Sequence, residues 1–279
     1  MEDDATTEEG LVSEVEFANR ISHFLWSRSA SGQLLADAKA GKLKDNVVLK
    51  KHIDRMLKHK NSFALAEGFF NQWVDMKRFE SIGIDENAHF QFNTGLRHSA
   101  KLEVQHFFHT LVKENLSLTQ LIDSDFVVIN DLLATHYGLE ALNKGDEFHK
   151  INLPADSPRG GLLGTVAILT MGSNGERASP IIRGALIQEK FFNRKPPPPP
   201  PNVPELVNAN KKPLAIKETI ALHTKKAQCA SCHSSFDPLG YGLENFDLVG
   251  LWHDQETVGH TENITLEKNG KKTRKKEKK

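Results

Sequence analysis

Asn93-TGLRHSAKLEVQHFFHTLVK-Glu114 is the stretch on which the reading of the fold turns. Leu96, Ala100, Val104, Phe107 and Leu111 recur every three or four residues, so one long helix carries them on a single apolar face. The same period runs upstream. Ser13-x-x-Glu16 is a capping box, and Val15, Ala18, Ile21 and Leu25 follow on one face. Residues 33–40 predict a short helix stopped by Gly41. Asp45 caps another, with Leu49, Ile53, Met56 and Leu57 at helical spacing. Phe63, Ala66, Phe70, Trp73 and Met76 continue the pattern in a fourth. Downstream, Ser117-x-x-Gln120 opens a further turn, residues 125–130 read as a short extended run, and a helix follows to Gly138.

The texture changes after Lys144. Leu162–Leu169 is an apolar run that periodicity assigns to neither helix nor strand. Met171-Gly-Ser-Asn-Gly175 is turn chemistry, and Ser179-Pro180 is an N-cap followed by a first-turn proline. Six prolines, Pro196–Pro201, form a polyproline II spacer of about 19 Å. Pro213 opens a helix that delivers the chain to Cys229. These readings give a mainly α chain in four parts: a disordered acidic end at 1–12, a helical module at 13–144, a second small helical module with its polyproline spacer at 145–260, and a basic disordered tail at 261–279.

The chain has 279 residues with 36 basic and 36 acidic side chains, but the balance is uneven. Residues 271–279 carry seven basic residues and one Glu, leaving residues 1–270 at −6. A mildly acidic body is not the footprint of a nucleic-acid binder, so none is expected as a partner. No apolar run reaches the ~18 residues of a membrane helix, and the acidic start MEDDATTEEG does not resemble a signal peptide. Walker, dinucleotide-binding, zinc-protease and Gly-x-Ser-x-Gly motifs are all absent.

The chemistry is concentrated in Cys229-Ala-Ser-Cys232-His233, which holds both cysteines of the chain. Two thiols three residues apart cannot staple distant parts of a fold. On a helix they project to one side, where both can form thioethers with haem vinyl groups while His233 meets the iron. Covalent haem c is therefore the expected cofactor and Cys229, Cys232 and His233 the expected site. The residues leave three other readings open: a redox dithiol, which would not need the histidine, a zinc site completed by His223 or His253, and a chance occurrence of two cysteines three apart. Pro238 offers a carbonyl for the His233 Nδ1–H within a tight turn at 236–242. Leu243, Phe246, Leu248, Leu251 and Trp252 are available either to cover a haem face or to fill ordinary core. Met171, beside Gly172, is the expected sixth iron ligand, with His253 and His260 as rivals. His52, His59, His98, His106 and His109 are expected to be solvated.

The chain as a series of blocks resembles a known assembly. The blocks are Phe24-Leu-Trp-Ser27, the Met56-Leu57 helix leading to Gln72-Trp73, Asp123-Ser-Asp125 through Asn130 to His136-Tyr137-Gly138, Arg159-Gly-Gly-Leu162, Ser173-Asn-Gly175, Arg177-Ala-Ser-Pro180, Arg183-Gly184, Pro196–Pro201 with Asn202-Val-Pro204, Cys229 to His233, Asp237-Pro-Leu-Gly240 and Leu243-Glu-Asn-Phe-Asp247. Together they look like the adjacent helical and haem-motif modules of large secreted proteins of planctomycete-type bacteria, domains of unknown function. The resemblance spans residues 13–253. It implies a c-type cytochrome-like module in electron transfer, more accessory than a stand-alone enzyme. It further implies a periplasmic or extracellular location and, as partners, a redox protein or further modules of the same polypeptide. The alternative of a different class is a helical surface-binding scaffold whose C-x-x-C-H is zinc-bound or empty.

Overall fold

A computed structural model describes residues 12–85, 87–139, 144–196, 216–225, 227–255, 265–266 and 272–273. Over these residues the protein is mainly α. The acidic end, the basic tail and prolines 197–201 fall outside the described residues, apart from Val12 and two strands of two residues each.

Three helices, α1 (Glu14–Trp26), α2 (Gly32–Lys39) and α3 (Asn46–Lys58), close around Ala18, Leu25, Leu34, Ala38, Leu43 and Met56. The predicted caps hold α1 and α3. Ser13 Oγ accepts the Glu16 amide at 3.2 Å, and an Asp45 carboxylate oxygen accepts the Val47 amide at 2.7 Å. The Trp26 indole donates to the Met56 carbonyl at 2.9 Å, locking α1 to the end of α3.

The pattern from Phe63 is not one helix but two, α4 (Phe63–Trp73) and α5 (Met76–Ser81). Val74 and Met76 are both buried, yet two residues along an unbroken helix point roughly 200° apart. Asp75, with φ of 59°, supplies the left-handed residue that turns Met76 and Phe79 back into the core. The long helix α6 (Thr94–Glu114) starts where the sequence places it, with Asn93 Oδ1 accepting the Leu96 amide at 3.0 Å. Then come β1 (Phe126–Ile129), α7 (Asp131–His136) and β2 (His149–Asn152), which pairs antiparallel with β1 through Val127 opposite Ile151. β2 alternates half-buried and exposed positions, but with Ile151 as its one apolar residue it is invisible in the sequence.

The ambiguous apolar run ends in α8 (Val166–Met171), all six residues of which are buried. A helix covered on every side carries no period to read. Next is α9 (Pro180–Phe192), whose Ser179 Oγ accepts the Ile182 amide at 3.3 Å as the Ser-Pro pair predicts. The last helices are α10 (Ile216–His223) and α11 (Ala227–Tyr241). Between Thr265–Leu266 and Lys272–Thr273 a short antiparallel pairing forms, β3 with β4.

One apolar cluster joins the two halves of the sequence. Phe70, Phe79, Val104, Phe107, Ile129 and Leu133 pack in it with Leu162, Val166, Ile168, Leu186, Leu248 and Val249. Gly161 makes the seam possible: it sits at φ +60°, and a Cβ there would strike the backbone of Ile122.

The tightest approach is between α9 and α11. A Cβ on Gly240 would land on the Pro180 carbonyl oxygen, and one on Gly184 on that of Phe236. These contacts fix the two helices as an antiparallel pair at backbone distance. Gly240→Ala is therefore expected to force them apart and to cost about 1–3 kcal/mol, read as a lower urea midpoint than that of the parent protein. An unchanged midpoint would show that the pair yields freely at this crossing.

Candidate functional site

Helix α11 carries the C-x-x-C-H residues at positions i, i+3 and i+4, so Cys229, Cys232 and His233 share one face. Further along that stripe lie Phe236, Asp237 and Gly240. Phe236, Asp237 and Gly240 are buried where the helix meets α9, so the face that anchors α11 continues toward its N-terminus as the donor face. On α9, the Gln188 Oε1 atom is buried without a hydrogen-bond partner. Cys229 is a free thiol, partly buried. The Cys232 side chain lies outside what the structure describes.

His233 is held from two sides. Its ring stands 5.2 Å from that of Phe236, and its Nδ1 lies 3.1 Å from each carboxylate oxygen of Asp237. Asp237 is 5% exposed. A carboxylate is an acceptor when ionised, so it selects the tautomer with the proton on Nδ1 and the lone pair on Nε2. The expected partner for Nδ1, the Pro238 carbonyl, is replaced by this side chain. The reason lies in the backbone: residues 236–241 are not a tight turn but the last turns of α11, with Pro238 inside the helix. Helical geometry puts residue 237 one turn beyond residue 233 on the same face. Two cysteine positions and an imidazole on one helical face are the donor set that covalent haem attachment uses.

Met171 lies at the end of α8, fully buried in the central apolar cluster, and its carbonyl accepts from Arg78 at 3.2 Å. Packing alone accounts for that burial. Both α8 and α11 pack on α9. His253 is about half exposed, its Nε2 3.2 Å from an Asp247 carboxylate oxygen. His260 and the His223 side chain are outside the described residues. Among the described residues, no group of three or more His, Cys, Asp or Glu side chains stands together as a metal site.

The residues suggested as a haem cover have packing partners of their own. Leu248 is in the central core with Leu251 against it, and Phe246 meets Trp252 edge-on at 4.9 Å. They belong to a loop after α11 that is tied down by buried charge. The Arg183 guanidinium, 1% exposed, donates to the carbonyls of Leu243, Phe246 and Asp247 at 2.6–2.7 Å. Asp247 Oδ1 accepts the amides of Val249 and Leu251, Thr170 donates to the Leu248 carbonyl, and His136 Nε2 donates to that of Val249 at 2.7 Å.

A second buried network faces the same loop from α6. The Tyr137 hydroxyl lies 2.7 and 2.8 Å from the two oxygens of Glu103 and accepts the Val166 amide at 3.1 Å. Arg159 stacks 3.6 Å above the Tyr137 ring and donates to the carbonyls of Gly164 and Gly250. Burial pushes the Glu103 carboxyl up to about 7, against the opposing pull of Tyr137 and Arg159. The sequence reading missed this group because Glu103 flanks the apolar stripe of α6 at a position where charge ordinarily faces water.

Three of the histidines expected in solvent are not there. His52 is buried and bonded to Asp37 at 3.0 Å. His106 stacks on Phe148 at 4.3 Å, and burial, then the neighbouring His109, lowers it to about 4. His109 Nε2 sits 2.9 Å from Ser62 Oγ. That hydroxyl is also in contact with the Leu57 and His59 carbonyls, so the imidazole serves as donor and the pair is not a nucleophile with its base.

Comparison with known proteins places two family models on the chain. Residues 12–139 match PSD4, a protein of unknown function (DUF1592), and residues 159–256 match PSCyt3, a protein of unknown function (DUF1588). The two matches support the family that the sequence blocks resemble. No curated protein and no solved structure matches the chain. Among the described residues no helix is long and apolar enough to cross a membrane.

Proposed function

We propose that this chain, a PSD4 segment followed by a PSCyt3 segment, carries covalent haem on α11 and serves one-electron transfer. The name of the second model points to a cytochrome-like domain. The observation that carries the finer reading is the His233–Asp237 pair, a buried carboxylate orienting the imidazole on the face shared with Cys229 and Cys232. Cys229 and Cys232 would hold the haem through thioether bonds, and His233 would ligate its iron. The haem would supply reversible one-electron chemistry. The chain's own residues anchor it, orient the ligand and hold α11 against α9. Met171 would be the second protein residue to ligate the iron. An exported location and a redox partner, either separate or part of the same polypeptide, belong to the same proposal.

The test is a pyridine haemochrome spectrum of the full chain made in a periplasm with haem-attachment machinery. Covalent haem that survives denaturation is expected, and Cys229→Ser with Cys232→Ser should abolish it. Colourless, folded protein would overturn the assignment. In the loaded protein Met171→Ala should remove the ferric band near ~695 nm expected of sulfur ligation. A spectrum unchanged by that substitution would take Met171 off the iron.

A further inference from the structure

We propose that Asp237 is a positioning residue that acts through His233, making the imidazole a stronger electron donor and biasing a metal held there toward its oxidised state. This deepens the haem reading and rests on it. Asp237 and His233 occupy one helical face a turn apart, with both carboxylate oxygens 3.1 Å from Nδ1. The Asp237 side chain is 7% exposed and that of His233 14%, so water screens the pair weakly. A backbone carbonyl in that place would be a neutral acceptor. An anionic one draws the Nδ1 proton toward itself and enriches Nε2, the nitrogen through which His233 would bind a metal. A richer nitrogen and a nearby negative charge both favour ferric over ferrous iron. The site is thereby set for a lower reduction potential than a histidine backed by a peptide carbonyl would give. Asp237 is thus the residue of this chain that moves the balance down.

The test compares the midpoint potential of the haem-loaded parent with Asp237→Asn, Asp237→Ala and Asp237→Glu by spectroelectrochemical titration. Asn preserves shape without charge, and its potential should rise. Each tenfold loss of the ferric preference appears as about 59 mV. Glu restores the charge and should keep the potential closer to the parent's, which separates loss of charge from loss of structure. Equal midpoints in parent and Asn variant, with haem attached in both, would overturn the role of Asp237 while leaving the haem reading intact. If no haem attaches, that reading falls, and Asp237 is judged in the haem-free chain by nitrogen chemical shifts of labelled His233. The Nδ1–H tautomer should dominate in the parent and give way in Asp237→Ala. An unchanged tautomer would overturn the inference there too.

Discussion

Arg183→Met should destabilise the protein by about 3–5 kcal/mol, a large part of the 5–15 kcal/mol typical of a folded domain. The guanidinium is buried at the base of α9, where it donates to the carbonyls of Leu243, Phe246 and Asp247. Burial lowers it to about 10, with the Glu244 and Asp247 carboxylates pulling it back up, so it remains charged at neutral pH. Methionine fills similar space but leaves three acceptors without their donor. Gly172 shows how closely the side chain is fitted, since a Cβ there would meet Arg183 Cγ. Lysine keeps the charge yet has one nitrogen where the fork uses two, so Arg183→Lys should recover only part of the loss. Urea unfolding with an unchanged slope and a lower midpoint is the expected record. A Met variant as stable as the parent would mean that the loop from 243 to 251 holds without this residue.

The second large effect is a dependence on pH. Glu103 has an ordinary value of 4.5 and is raised to about 7 in the folded chain, chiefly by burial. Between these values the folded state keeps a proton that the unfolded state has released. The contribution of Glu103 is therefore greatest below 4.5, declines as pH rises, and has gone above 7. The swing is on the order of 3 kcal/mol. His106, His109 and His136 are shifted down by burial and work in the opposite sense, losing stability as pH falls below the ordinary histidine range. The diagnostic quantity is therefore the difference between the parent and Glu103→Gln, which has no proton to release. Relative to the parent, the Gln variant should gain stability steadily from pH 4.5 to 7 and stay level beyond. Parallel stability curves across that range would show that Glu103 titrates like an exposed carboxylate.

Much of this architecture is written in local chemistry. Asn93, Ser13, Asp45 and Ser179 begin helices because a short polar side chain before an apolar period can accept an otherwise unpaired amide, and each begins one. Breaks and long-range contacts are written less plainly. Nothing adjacent to Asp75 announces the left-handed turn there, because the gain comes from Met76 and Phe79 burying against distant residues. At the candidate site, Cys229, Cys232 and His233 could be read directly, since their spacing is the signal. The partner of His233 was obscured by Pro238, which reads as a helix stop. Once the helix is seen to pass through it, the four-residue spacing to Asp237 becomes legible. Arg183 and Glu103 gave no sign, because burial of a charge depends on carbonyls and hydroxyls far away in sequence.

Two family models divide this chain between residues 139 and 159, whereas its apolar cluster runs through both. The two segments therefore share one free-energy account, with a consequence for ligand binding. A group bound only by the folded protein on α11 stabilises every element that unfolds with it, including α6, more than a hundred residues earlier in the chain. Linkage is reciprocal. A packing defect at Phe107 or Leu111 would weaken apparent affinity at α11 without touching the ligand, once it raises the unfolded population. The helical segment upstream thus acts on the motif as a thermodynamic reservoir, setting how tightly a bound group is held.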